Sequence, residues 1–168
     1  MSPSAMRRAA KQKLASLEMP ACRDIFEFAD ALSAQRAIPL HLLPVAIRPS
    51  DPCGLWLSTP DADFIAYEAA ASQPHQHHII AHELGHIIYG HKGSPATSSE
   101  SSKLLFPDLD PGLVLDMLGR TGYSERQEQE AETIASTIHD TFRRRHSTRI
   151  DEAPIADQIQ LRIRRSLG

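Results

Sequence analysis

The chain has 168 residues, 41% of them hydrophobic and 23% charged, with a formal net charge of −3. That is the make-up of one globular domain with a moderate core, and so small a charge gives no reason to expect direct binding to nucleic acid or to an anionic membrane. Two cysteines, Cys22 and Cys53, are too few for a disulfide framework, and no apolar run approaches the roughly 18 residues of a membrane span, so a cytoplasmic location is expected.

Residues Ala5 to Leu17 read as a helix with Arg7, Arg8, Lys11 and Lys13 on a solvated basic face, a polar start unlike a signal peptide. Pro20 separates it from a second helix, about Cys22 to Arg36, in which Ile25, Phe26, Phe28, Ala29 and Leu32 follow helical spacing. No third helix follows to complete a helix-turn-helix module. Pro39 to Ile47 is apolar and punctuated by proline, which suggests an edge strand. Cys53–Leu57 and Asp63–Tyr67 then flank a turn and predict a hairpin, with Trp56 in the core and an edge able to hold an extended peptide.

Next comes His78-Ile79-Ile80-Ala81-His82-Glu83-Leu84-Gly85-His86-Ile87-Ile88, in a helix opened by Pro74 and closed by Gly90 and Gly93. Residues four apart share a helix face, so His82 and His86 can point at one ion, and neutral imidazoles suit zinc. Glu83 is turned about 100° from His82, beside the metal rather than on it, where it can take a proton from the water such an ion activates. Apart from Glu83, no charged residue lies between His78 and His91, so polar groups sit on a mostly buried helix and need partners, which a metal provides.

Residues 94–102 read as a flexible polar loop, and Asp110-Pro111 opens a short helix ending at Gly119. Ser124-Glu125-Arg126-Gln127 is a capping box that begins a long helix with Ala131, Ile134, Ala135 and Ile138 as its packing stripe and Arg143-Arg144-Arg145 as a solvated basic end. A last amphipathic helix is expected over about Ile155 to Leu167. The expected whole is one α+β domain over residues 1–168, its core spanning about 20–145 and residues 147–168 forming a C-terminal extension. It has N-terminal helices, a small mixed or antiparallel sheet, an H-E-x-x-H helix and a C-terminal glutamate-bearing helix.

Such a site commonly takes a third protein ligand. In one class of H-E-x-x-H enzymes it is a histidine six residues after the second, preceded by a glycine at the third; Lys92 and Tyr89 stand there. In another class it is a glutamate on a later helix, and the helix opening at Ser124 carries Glu125, Glu128, Glu130 and Glu132.

Taken together, His82-Glu83-Leu84-Gly85-His86 and Glu128-Gln129-Glu130-Ala131-Glu132-Thr133-Ile134-Ala135 resemble the ImmA/IrrE family of zinc metallopeptidases, which pairs H-E-[LI]-G-H with a later E-x-E-A-bearing helix. The resemblance covers roughly residues 20 to 140 and implies a compact, gluzincin-like fold. It also implies Zn2+ as cofactor, His82 and His86 as ligands and Glu83 as general base. By the spacing to the helix alanine in related gluzincins it implies Glu128 as third ligand, with Glu130 as second choice, and Glu132 as the partner that orients a motif histidine. The chain departs from the family in having Glu132 and Ile134 where Asn and Phe are common, and Ile138-His139-Asp140 where a Leu-Met-Pro turn follows.

The expected function is a regulatory zinc metallo-endopeptidase acting on a protein partner, such as a helix-turn-helix regulator encoded nearby. The alternatives are a non-catalytic zinc-fold binding module, as in a toxin–antitoxin-like or phage-type pair, and a zinc hydrolase of a small molecule. Tyr67, His78, Tyr89, His91, Tyr123 and His139 are all conceivable stabilisers of the transition state, and the sequence does not choose among them.

Overall fold

The computed structural model describes residues 2–47, 52–59, 61–91, 94–95 and 122–152. Two helices come first, α1 (Pro3–Ser16) and α2 (Ile25–Arg36), followed by strands β1 (Leu40–Val45), β2 (Gly54–Ser58) and β3 (Asp63–Glu68). Helix α3 (Gln73–Tyr89), the two-residue strand β4 (Ser94–Pro95) and helix α4 (Glu125–Glu152) complete the described elements. This is the expected α+β class. Among the described residues no helix is long and apolar enough to cross a membrane.

Capping chemistry sets several boundaries. Helix α2 starts at Ile25 rather than Cys22 because the Asp24 carboxylate accepts from the backbone N–H of Phe26 (3.0 Å) and Glu27 (2.9 Å), closing the first turn there. Ile25, Phe28, Ala29 and Leu32 are buried, while Phe26 is 39% exposed and meets the His77 ring edge-on. Ser124 and Gln127 form the expected capping box: the Gln127 side-chain oxygen accepts from the Ser124 N–H at 2.9 Å. Helix α4 then runs through Glu152, so Arg143 to Arg145 lie within the helix rather than at its end. The helices expected near residues 110–119 and 155–167, and residues 96–102 of the expected loop, lie outside the described residues.

The sheet order is β1-β3-β2-β4. β2 and β3 form the predicted antiparallel hairpin, while β1 lies parallel to β3 on its far side, an edge as its proline demanded. β4 pairs in parallel with Leu57 and Ser58 of β2. Side chains alternate along the hairpin: Trp56, Ile65 and Tyr67 join the helices in the main core, and Leu55, Leu57, Phe64 and Ala66 form a second cluster on the opposite face. Asp63 is almost fully buried, where a lone carboxylate is costly. It accepts from Arg36 (2.6 Å) and the Trp56 indole N–H (3.0 Å), tying α2 to the hairpin.

Helix α3 lies across this core with Ile80, Leu84 and Ile87 buried, and it packs on the predicted stripe of α4, Ala131, Ile134, Ala135 and Ile138, each at most 2% exposed apart from Ile87 at 6%. The two helix backbones approach closely because neither carries bulk where they cross. A Cβ placed on Gly85 would stand 2.8 Å from both the Cα and the carbonyl oxygen of Ala131. Gly85 within H-E-L-G-H is therefore a packing requirement, and it brings the glutamate-bearing first turns of α4 up to the histidine face of α3.

Candidate metal centre

His82 and His86 lie one turn apart on α3, with their Nε2 atoms 3.1 Å from each other. Glu128, on the first turn of α4, brings Oε2 to 3.1 Å from His82 Nε2 and 3.9 Å from His86 Nε2. These three residues each offer a ligand atom, and the atoms lie within 4.8 Å of one another, a grouping that can hold a metal ion. The donor set of two imidazoles and one carboxylate suits a borderline cation such as zinc and leaves a fourth position open. Burial, with the neighbouring His82 and His91 as lesser contributors, pushes the His86 imidazole down to about 3, so His86 stays neutral with a lone pair to give at any physiological pH.

Glu83 is 6% exposed and borders the same cavity, of about 290 Å³. Its carboxyl accepts from the backbone N–H of Trp56 on β2, so the sheet holds what the helix presents. Burial, reinforced by the charge of Glu128 and opposed by that hydrogen bond, raises its pKa from 4.5 to about 8. Gly54 makes room for this carboxyl, since a Cβ there would lie 2.9 Å from Glu83 Oε1.

The remaining acids of α4 divide by helix rotation. Glu132 reaches His78 Nε2 at 3.1 Å and His82 Nδ1 at 3.6 Å, on the side of His82 away from Glu128. Glu130 faces elsewhere: its Oε2 is 3.1 Å from His91 Nε2 and its Oε1 accepts from Arg126 at 2.9 Å. Although burial works against it, those two partners hold the Glu130 carboxyl below its ordinary range. Glu128, the first choice, thus joins the two histidines and Glu130, the second, does not.

Among the conceivable transition-state donors, most have other engagements. His78 meets Glu132 and stacks on His139, while His91 lies between His86 and Glu130 and stacks on Tyr89. Tyr123 differs. Its ring stacks on His86 with centroids 3.7 Å apart, it borders the cavity beside Glu83 and Glu128, and its buried hydroxyl has no hydrogen-bond partner among the described residues. Burial first, then the charges of Glu83 and Glu128, push its pKa further up, so it remains a donor.

Reasoning from the sequence missed the supporting groups, namely the Trp56 N–H, the space at Gly54 and the link from His86 through His91 to Glu130. Only the last left a trace in the sequence, a histidine directly after the helix-ending Gly90. Compared with models of known families and with curated proteins, the chain matches none, so the site stands on its own geometry.

Proposed function

We propose that this chain is a zinc-dependent metallo-endopeptidase of regulatory type that hydrolyses a peptide bond in a protein partner, such as a transcription regulator, in the cytoplasm. The observation that carries the reading is Glu83. A buried carboxyl beside two histidines and a third ligand has no use in a purely structural metal site, and it is held where a general base is needed. The resemblance of both motifs to the ImmA/IrrE metallopeptidases supports the same reading. So does β2, whose Gly54 borders the cavity outside the stretch paired with β4 and turns its main-chain groups away from β3, where an extended peptide can meet them.

His82, His86 and Glu128 would hold the zinc, which when bound would supply Lewis acidity to lower the pKa of water. Glu83 takes the proton of the attacking water and delivers it to the leaving amine nitrogen. Trp56 N–H keeps that carboxylate aimed while its charge changes. Tyr123 donates its O–H to the oxyanion of the tetrahedral intermediate, a role whose loss costs roughly 10²–10³ in turnover elsewhere.

The test incubates zinc-loaded protein with a helix-turn-helix regulator encoded beside it, with and without chelator. Cleavage is expected from the wild type, none from Glu83→Gln at unchanged zinc content, and strongly slowed cleavage from Tyr123→Phe. Undiminished cleavage by Glu83→Gln sinks the general-base assignment. Stable binding of the regulator without cleavage replaces the peptidase with a docking module.

A further inference from the structure

The second ring nitrogen of His86 begins a chain of hydrogen bonds leading away from the cavity. His86 Nδ1 lies 2.9 Å from His91 Nδ1, and His91 Nε2 lies 3.1 Å from Glu130 Oε2. Glu130 in turn accepts from Arg126 through its other oxygen. We propose that His91 and Glu130 are positioning residues that fix the tautomer and ring orientation of His86, an inference that rests on the metal-centre reading above.

Only one arrangement of protons satisfies every contact. His86 turns Nε2 toward His82 and Glu128, and a nitrogen that binds a cation carries no proton. The proton of the neutral His86 ring therefore sits on Nδ1 and is donated to His91 Nδ1, which must be bare. His91 then carries its proton on Nε2 and donates it to the Glu130 carboxylate, anchored by Arg126. A carboxylate at the end of the chain draws proton density away from His86 and makes its Nε2 a better ligand.

The fold builds this link into the end of α3. Gly90 adopts φ 68°, a left-handed conformation open to glycine, and turns the chain back so that the His91 N–H donates to the His86 carbonyl at 3.0 Å. The residue that caps the helix backbone thereby places its ring under the ring one turn earlier. His91 is 8% exposed and the Glu130 side chain 12%, so neither hydrogen bond competes freely with water.

The experiment measures zinc dissociation constants by chelator competition, with ring ¹⁵N–¹H spectra of zinc-loaded protein to read the tautomers. In the wild type His86 is expected as the Nδ1–H tautomer and His91 as Nε2–H. His91→Leu and Glu130→Leu, with folding checked by circular dichroism, should each bind zinc 10–100-fold more weakly. His91→Asn, whose side-chain oxygen replaces the Nδ1 acceptor but not the Nε2–H donor to Glu130, should bind zinc more tightly than His91→Leu, a partial rescue that a merely space-filling role does not predict. The opposite tautomer at either ring in the wild type overturns the proposal, even if the leucine variants fail to fold, and so does unchanged affinity in folded His91→Leu. Wild-type protein that binds no zinc instead removes the metal-centre reading itself.

Discussion

Replacing Glu83 by glutamine in the metal-free protein separates the ionisation of this carboxyl from everything else the molecule does with pH. The folded-state pKa is raised from 4.5 to about 8, so between those values the unfolded chain releases a proton that the native protein keeps. The unfolded state then binds fewer protons, and stability falls as pH rises through that window. At about 1.4 kcal/mol per unit, the native protein loses about 3 kcal/mol by pH 7 and on the order of 5 kcal/mol once Glu83 ionises. Because the side chain is 6% exposed, little of this is screened by solvent. Glutamine keeps the shape and the acceptor for Trp56 N–H but does not titrate. His86 runs the opposite way, neutral in the fold down to about 3, so its contribution is lost as pH falls below its ordinary 6.5; it is present in both proteins and cancels. Urea unfolding with chelator at several pH values from 5 to 8.5 reads the difference directly. The two proteins should agree near pH 5 and diverge steadily, the glutamine variant becoming the more stable. Parallel curves across that range would refute both the burial of the charge and its cause.

Gly85→Ala should destabilise the metal-free protein by about 1–3 kcal/mol, because the new methyl meets Ala131 backbone rather than a side chain that can turn aside. Zinc affinity should fall with it as α4 carries Glu128 away; an unchanged affinity would show that the helix crossing does not set the ligand spacing. Gly54→Ala acts on the other side of the site, placing a methyl within clashing distance of the Ile79 side chain, which must turn aside, and 2.9 Å from Glu83 Oε1, without touching a candidate ligand. Turnover should drop while zinc affinity holds, and equal losses in both would place Gly54 in the metal centre rather than behind the base.

The local pattern determined a good deal. Helical spacing put His82 and His86 on one face, the capping box at Ser124 opened α4 where it opens, and the two short apolar runs flanking a turn drew the hairpin. These features depend on neighbours within a turn or across one short loop, and such information is written in consecutive residues. The start of α2 and the exposure of Phe26 lie beyond such local pattern. Helical spacing says which side chains share a face, but not which edge of that face meets the core, and Asp24 overrode it at the first turn.

Which glutamate joins the histidines was beyond spacing alone. Glu128 and Glu130 differ by about 200° of helix rotation, and the rotation of α4 about its axis is set by Ala131, Ile134, Ala135 and Ile138 seating against α3. The same packing turned Glu130 toward His91, Glu132 toward His78 and His82, and left the Tyr123 hydroxyl buried over the cavity. The H-E-x-x-H helix thus carries its ligand spacing and its base in its own sequence. The third candidate ligand, the contact behind Glu83 and the link behind His86 come from segments up to 46 residues away, and the close approach at Gly85 brings α4 to the site.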